Sequence, residues 1–347
     1  MEWLIYGANG YTGELIAREA VRRGMHPVLA GRTRSTIEPL ARELALPFRI
    51  FPIEQPALKD IGAVLHCAGP FSRTSASMVD ACLAAGAHYL DITGEIAVFE
   101  SVFQRREDAR RAGVALIPGV GFDVVPTDCL AAMLSDALPG AKELTLAFAA
   151  PGARISRGTY RTMIDGMSEG GAIRRDGRIV RVPVAWDVRE IPFSIGLRTA
   201  MTVPWGDVST AYHTTRIPSI RVYTATPPAQ VKRLRRIAPL IPFLGRWPLR
   251  PLLQFLAKSR KGPDAGARER GRMHIWGEAV GIDGRCVSST IDTPEGYAFT
   301  VASALHAIEE LDSVRPGAWT PSRAFGKDFV RAISGVDVSP LRTSPAT

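Results

Sequence analysis

Short apolar runs and longer amphipathic stretches alternate along the N-terminal third of the chain. The apolar runs predict strands at residues 3–6, 27–30, 48–51, 63–68, 89–92 and 114–117. Helical spacing between them predicts helices after Gly13, at 76–85 and at 98–112. Strands that alternate with helices form right-handed βαβ units. The pattern therefore predicts an α/β domain with a parallel sheet covered on both faces.

The pattern changes after Gly140. Strand-like runs lie at 144–148, 179–182, 220–224, 274–279 and 286–291, with a helical stretch at 158–170. This order predicts a second, α+β domain with a mostly antiparallel sheet. A helix is expected to begin at 293–295, and the tail beyond Val336 is expected to be frayed.

A glycine-rich turn follows the first predicted strand and opens the first helix. Such a turn lets backbone approach a dinucleotide pyrophosphate, which the helix N-terminus attracts. An ordinary strand–helix turn is the alternative, but strand, turn and helix are all present here. The candidate pyrophosphate-binding residues are Gly7, Ala8, Asn9, Gly10, Tyr11, Thr12 and Gly13.

The end of the second strand indicates which dinucleotide binds. An acid at this position would hold the ribose 2′-hydroxyl of NAD, but none occurs before Glu38. Gly31 and Arg32 stand there instead, followed by Arg34. A guanidinium binds a 2′-phosphate, so NADP(H) is favoured over NAD(H). An exposed loop arginine is the alternative interpretation of Arg32.

The loop after the fourth strand is expected beside the nicotinamide ribose, because loops at the carboxyl ends of parallel strands form the ligand crevice. Its cysteine is more often a buried small side chain than a nucleophile. The residues assigned to cofactor contact are Cys67, Ala68, Gly69, Pro70 and Phe71.

Four further side chains are candidates for the site. Asp123 and Glu95 each follow a glycine turn at a strand end, so both are expected at the crevice. A helix cap or loop contact is the alternative for each, and for Glu95 a structural or ribose-binding role is favoured. Tyr212 and His213 are candidate proton donors from the second domain, although a lone histidine is more often structural.

Composition describes an ordinary globular protein: 347 residues, 46% hydrophobic and 22% charged. The N-terminus runs directly into the first strand, and no run of about 18 apolar residues occurs. The four cysteines form no CxxC pair and no cluster with histidine. We therefore expect a cytoplasmic location, no metal and no disulfide framework.

The net charge of +9 arises from one segment of the chain. No acid occurs between Val208 and Pro263, and residues 230–261 alternate basic and apolar clusters. A solvated basic face is one interpretation. The others are a peripheral contact with the inner membrane surface, a mouth for a lipid-like substrate, or a dock for an acidic protein such as an acyl carrier protein. No nucleic-acid recognition module accompanies the segment.

Several blocks resemble one known family. Residues 6–13, 30–32, 68–71, 87–95 and 121–128 are similar, in the same order, to the saccharopine dehydrogenase-like oxidoreductases. Residues 293–297 and 320–326 resemble the branch that contains the mycobacterial trans-acting enoyl reductases. The resemblance implies an NADP-binding Rossmann domain at 1–130 and an α+β substrate and dimerisation domain at 131–292. It leaves a C-terminal helix and tail at 293–347, which pack back on the Rossmann domain.

The leading hypothesis is an NADPH-dependent reductase that acts on a double bond of an apolar acyl or polyketide-type substrate, as a homodimer. A saccharopine dehydrogenase-type amino-acid C–N oxidoreductase is the second hypothesis. The third is a lipid-associated, non-enzymatic protein that keeps the nucleotide-binding fold.

Overall fold

The computed structural model describes residues 1–152, 156, 158, 160, 170–238 and 262–344. The chain divides into two units. The first consists of Met1–Val125 and Tyr297–Gly326, and the second of Pro126–Gly296 and Lys327–Thr347. The C-terminal segment that the sequence presents as one piece is thus shared between the two units.

The elements are numbered in chain order. The strands are β1 (Trp3–Tyr6), β2 (Val28–Gly31), β3 (Phe48–Ile50), β4 (Ala63–His66), β5 (His88–Asp91), β6 (Ala115–Ile117), β7 (Glu143–Ala149), β8 (Gly171–Arg175), β9 (Arg178–Val182), β10 (Val188–Phe193), β11 (Gly196–Thr202), β12 (Ser219–Ala225), β13 (Arg272–Val280), β14 (Cys286–Pro294), β15 (Gly317–Ala318), β16 (Asp337–Val338) and β17 (Arg342–Ser344). The α-helices are α1 (Tyr11–Arg22), α2 (Arg34–Glu43), α3 (Phe71–Ala85), α4 (Ile96–Gln104), α5 (Arg106–Ala112), α6 (Val125–Ala137), α7 (Asp207–Thr215), α8 (Pro228–Ile237), α9 (Ala265–Arg270), α10 (Gly296–Glu309) and α11 (Pro321–Phe325).

The first unit contains a parallel sheet in the order β15-β6-β5-β4-β1-β2-β3. Without β15, this is the strand order of a Rossmann sheet, whose direction of winding reverses between β1 and β4. The strands are buried because helices cover the sheet; Leu4, Val64, Tyr89 and Leu116 lie in its core. The loops after β1, β2, β4, β5 and β6 therefore meet at one edge.

Two helix predictions in this unit need correction. The predicted helix 98–112 is two helices, α4 and α5, which separate at Arg105. The Arg105 guanidinium binds Asp80 and Asp108 there. Helix α3 begins at Phe71 rather than Ala76, because Glu95 from a distant loop satisfies its first N–H groups.

The second unit contains a mostly antiparallel sheet in the order β10-β11-β12-β7-β13-β14-β16. Only the β12–β7 pair is parallel among its described strands. Helix α6 packs closely on β13, since a Cβ on Gly277 would lie 2.8 Å from Leu130 Cδ2. The predicted fold class, a parallel Rossmann domain with a mostly antiparallel second domain, is confirmed.

The C-terminal predictions were partly wrong. The tail is not frayed up to Ser344: β16 and β17 both pair with β14, and Ser289 Oγ donates to the Ser339 carbonyl at 2.7 Å. Helix α10 begins at Gly296, because β14 continues to Pro294. Strands β10 and β11 were not predicted.

Two predicted features lie wholly or mostly outside the described residues: the helix at 158–170 and the basic segment 230–261, of which α8 is seen. None of the helices in the described ranges has both the length and the apolar content needed to cross a bilayer.

Candidate functional site

The turn after β1 brings backbone unusually close to the loop after β4. Gly7 adopts a φ of +85°, and its N–H donates to the Ala30 carbonyl at 2.8 Å. A Cβ at Gly7 would lie 2.9 Å from Ala68 Cβ and from Ala68 N. Both the conformation and the contact require glycine at this position.

Helix α1 begins directly after this turn. Its N-cap residue, Gly10, provides no side-chain cap. The first N–H groups of a helix have no partner within the helix, and the dipole makes this end positive. A Cβ at Gly13 would overlap the Gly7 carbonyl oxygen. The structure therefore offers a side-chain-free cradle that fits a pyrophosphate.

Asn9 joins this turn to the end of β2 and to the first turn of α2. Its Nδ2 donates to Thr36 Oγ1 at 3.1 Å, and the Thr36 hydroxyl donates to the Thr33 carbonyl at 2.9 Å. A Cβ at Gly31 would lie 3.4 Å from Asn9 Oδ1 and closer still to Ile37. The two loops that would hold the two ends of an adenosine diphosphate are thus fixed to each other.

Arg32, in the loop after β2, and Arg34, at the start of α2, differ in what they contact. Arg34 lies 3.4 Å from Glu38 and its guanidinium stands 5.4 Å from the centre of the Phe48 ring. Arg32 is exposed and makes no hydrogen bond or ion pair within the described part of the chain. Arg32 is therefore the guanidinium available to a 2′-phosphate.

The loop after β4 is held from two sides. Glu95, from the loop after β5, accepts the N–H groups of Phe71 and Ser72 at 2.8 and 2.9 Å. On the other side, the Thr74 hydroxyl donates to the Ala68 carbonyl at 2.8 Å and lies 2.9 Å from Nε2 of His66. These contacts fix the backbone of residues 68–72.

His66 is fully buried at the end of β4. Burial lowers the pKa of its imidazole to about 3, so the ring is neutral at physiological pH. The Thr74 hydroxyl donates its own proton to the Ala68 carbonyl, so its oxygen is the acceptor toward His66. The Nε2 atom of His66 therefore carries the proton of this hydrogen bond. The Nδ1 atom has no hydrogen-bond partner among the described residues.

Cys67 does not have the properties of a nucleophile. Burial raises the pKa of its thiol well above the usual value, so the thiol stays protonated at neutral pH. Its backbone N–H donates to the Tyr6 carbonyl at 2.8 Å, which places the residue against the first turn.

Asp91 organises the loop after β6, a role that the sequence did not reveal. Its carboxylate accepts the Gly119 and Thr93 N–H groups at 2.8 and 3.0 Å and the Tyr89 hydroxyl at 2.7 Å. Burial raises the pKa of Asp91 to about 6 despite these contacts. Its position as the last residue of a buried strand was the available signal.

Asp123 lies in the same loop but has no such contacts. A Cβ at Gly94 would lie 2.8 Å from Asp123 Oδ2, so the carboxylate sits against the loop that carries Glu95. Within the described residues Asp123 accepts no hydrogen bond and forms no ion pair. It is only partly exposed, and burial raises its pKa to about 6. A carboxyl that is neutral in mild acid and has no partner is suited to proton transfer.

Helix α10 supports this edge of the sheet from the far end of the sequence. Thr300 Oγ1 accepts the Phe122 N–H at 3.0 Å, and the Ser303 hydroxyl donates to the Val120 carbonyl at 2.9 Å. The Tyr297 ring packs edge-on against the Tyr11 ring, with centroids 4.9 Å apart. The sequence predicted the helix but not these contacts.

Tyr212 and His213 lie on α7 in the second unit. Two guanidinium groups lie near the centre of the Tyr212 ring, Arg174 at 4.1 Å and Arg216 at 5.5 Å, and the His213 ring lies edge-on to it. Arg174 is itself fixed by the carbonyls of Val208 and Gly177. These contacts give Tyr212 a packing role within its own unit.

The comparisons with known proteins agree with this geometry. Residues 3–117 match the model of the saccharopine dehydrogenase NADP binding domain. Over these residues the chain is similar to a saccharopine dehydrogenase NADP-binding domain. The family resemblance and the cofactor, NADP(H), are thereby confirmed, and the matched range contains the cradle, Arg32 and Glu95.

Relatives of this domain are named as oxidoreductases. The chain is 26% identical over 202 residues to a human saccharopine dehydrogenase-like oxidoreductase, covering 50% of this chain and 47% of that protein. It is 30% identical over 142 residues to a trans-acting enoyl reductase of Mycobacterium ulcerans, covering 37% and 34% respectively. The match thus spans about half the length of the human relative.

The fold of the whole chain also has a solved counterpart. The structure of apo saccharopine dehydrogenase (L-Glu forming) from Saccharomyces cerevisiae superposes with a TM-score of 0.64 at 12% identity, covering 99% of both chains. At this identity the likeness concerns the fold alone.

Proposed function

We propose that the protein is an NADPH-dependent oxidoreductase that reduces a carbon–carbon double bond next to the carbonyl of an apolar acyl substrate. The observation that carries the proposal is the Asp123 carboxyl. It has no partner among the described residues, its pKa is raised to about 6, and it lies on a loop at the edge of the sheet where the NADP-binding loops meet.

Different residues of the first unit bind different parts of NADPH. The cradle formed by Gly7, Gly13 and the N-terminus of α1 binds the pyrophosphate, and Arg32 pairs with the 2′-phosphate. The loop at Ala68, held by Thr74 and Glu95, lines the nicotinamide end. When bound, NADPH supplies a hydride to the β carbon of the substrate.

Asp123 completes the reaction. It gives its proton to the α carbon as the double bond becomes a single bond, and it is protonated again from water. Two carboxyl groups, Asp123 and Glu95, lie on neighbouring loops at this edge. The Glu95 carboxylate repels a substrate with several carboxylates, such as an amino acid conjugate, whereas Asp123 is neutral in the form that donates a proton. This edge therefore favours a neutral acyl chain. We therefore propose enoyl reduction in preference to saccharopine-type chemistry.

A relative named as a trans-acting enoyl reductase, 30% identical over 142 residues, supports the choice of enoyl reduction. The second unit is assigned the acyl chain and the dimer contacts. The homodimer, the acyl carrier protein, the cytoplasmic location and the membrane-surface contact that the sequence predicts stay predictions.

The test is a pair of assays on the full-length protein. In the first, NADPH consumption is followed with a medium-chain trans-enoyl thioester of coenzyme A, and the saturated thioester is identified by mass spectrometry. In the second, NADPH is supplied with lysine or glutamate and a keto acid. We expect turnover in the first assay only. Turnover only in the second would replace this proposal with the amino-acid C–N reaction.

A further inference from the structure

A basic surface in the second unit consists of the β8–β9 hairpin, Trp186 and helix α8. Trp186 connects the other two parts. The Arg175 guanidinium of the hairpin lies 5.7 Å from the centre of its ring, and Arg235 of α8 donates to the carbonyls of Ala185 and Trp186 at 2.9 and 3.3 Å. The hairpin and the helix therefore present one continuous surface.

The basic surface carries several cations that have no acidic partner in the described part of the chain. Five of them are exposed and form no ion pair with an acid in the described ranges: Arg175, Arg178, Lys232, Arg233 and Arg236. Three exposed arginines of the first unit behave differently, since Arg18, Arg42 and Arg110 each pair with a glutamate.

The hairpin carries a like-charge pair. Arg175 and Arg178 face each other directly across β8 and β9. Like charges in this position destabilise a hairpin, and the hairpin's own acid, Asp176, lies in the turn between them. An anionic partner that binds both guanidinium groups would offset the repulsion between them.

The exposed side chains of α8 indicate what kind of anion fits. From Gln230 to Arg236 its exposed positions are polar or basic (Gln230, Lys232, Arg233, Arg235 and Arg236), whereas Val231 is buried and Leu234 is partly buried. A helix that lies in a membrane interface needs an exposed apolar face. Single-stranded nucleic acid needs a series of aromatic rings, and this surface has Trp186 alone in the described part. Arginine and tryptophan side by side are typical of protein–protein contacts.

We propose that the basic surface docks an acidic segment of a partner protein, with carboxylates on the five cations and an apolar side chain against Trp186. The site lies in the second unit and does not depend on the proposed reductase activity, so either proposal can fail without the other.

The test uses the full chain and a fluorescent peptide built of Glu, Asp, Ala and Leu, with anisotropy as the readout. One variant combines Arg175→Glu, Arg233→Glu and Arg236→Glu. The control combines Lys59→Glu, Lys142→Glu and Arg342→Glu, three exposed cations outside the surface that make the same change in net charge. Circular dichroism and thermal unfolding verify that both variants fold.

We expect saturable binding that weakens about tenfold or more in the surface variant, stays within about twofold in the control, and disappears at about 0.5 M salt. Absence of binding to the wild type, or equal weakening in both variants, overturns the proposal. Tighter binding to vesicles that contain phosphatidylglycerol, or to a single-stranded oligonucleotide, with the same loss in the surface variant, also overturns it.

Discussion

Glu95 Oε1 accepts the backbone N–H of Phe71 at 2.8 Å, so the loop after β5 caps the helix that follows β4. A carboxylate already satisfies the positive end of α3, whereas α1 has no side-chain cap. Of these two helix N-termini, α1 is therefore the one left to bind a phosphate.

Replacing Glu95 with Ala removes both acceptors from the start of α3. We expect a loss of about 1–2 kcal/mol in the free energy of unfolding, since the first two N–H groups of α3 lose a charged cap. NADPH affinity is expected to fall as well, because the Ala68 loop loses one of its two supports. Urea denaturation and fluorescence titration measure the two effects. Glu107→Ala is the control, since its ion pair with Arg110 is exposed; equal effects in both variants contradict the role of Glu95.

Gly7→Ala is compared with Gly24→Ala. Both glycines have positive φ, +85° and +76°, so alanine costs about 1 kcal/mol of backbone strain at either site. Only at Gly7 does the new methyl meet a neighbour, because nothing lies within 4 Å of a Cβ at Gly24. We expect Gly7→Ala to abolish NADPH binding in a titration, and Gly24→Ala to retain it. Comparable affinities in the two variants would show that the close contact with Ala68 does not matter.

Asp123→Asn removes the proposed proton donor while it preserves size. We expect the turnover number to fall about a hundredfold or more, with little change in NADPH affinity. In the wild type, turnover should decline as the pH rises through about 6, since the pKa of Asp123 is raised to about 6 and only the protonated form donates. A variant with wild-type turnover, or a wild-type pH profile without this decline, would remove Asp123 from the mechanism.

Asp123 also makes stability depend on pH. Its pKa is raised from 3.8 to about 6, so the folded protein holds a proton that the unfolded chain has already lost. This contribution is present in full below about pH 4 and is lost as the pH rises through about 6. Asp91 adds a slope of the same sign. We therefore expect the unfolding free energy of Asp123→Asn, relative to wild type, to increase between about pH 4 and pH 7 in urea titrations. A constant difference would show that Asp123 titrates normally.

Most strands and helices of the first unit could be predicted from the sequence, because the patterns that specify them lie in adjacent residues. A buried strand, a glycine turn and an amphipathic helix predict β1 and α1 from adjacent residues. The start of α3 was missed because its cap comes from Glu95, 24 positions away from Phe71. Strand β14 and the tail strands were misjudged for the same reason, since pairing with a distant strand decides their ends.

At the site, the glycines and Arg32 were predictable from residue type and position. What the sequence did not distinguish is which charged groups already have partners. Arg32 and Arg34 are the same residue type two positions apart, yet of these two only Arg34 is contacted by Glu38 and Phe48. Likewise Asp91 and Asp123 both follow strands, but three donors surround Asp91 and none contacts Asp123 in the described residues.

The pairing of Arg32 with the 2′-phosphate of NADP(H) is tested most directly by nucleotide affinity. Calorimetry measures the affinity of wild type, Arg32→Ala and Arg34→Ala for NADPH and for NADH. We predict that wild type prefers NADPH, that Arg32→Ala loses about tenfold to a hundredfold in NADPH affinity with NADH affinity unchanged, and that Arg34→Ala resembles wild type. Equal binding of both nucleotides by wild type, or an unchanged preference in Arg32→Ala, would contradict the account.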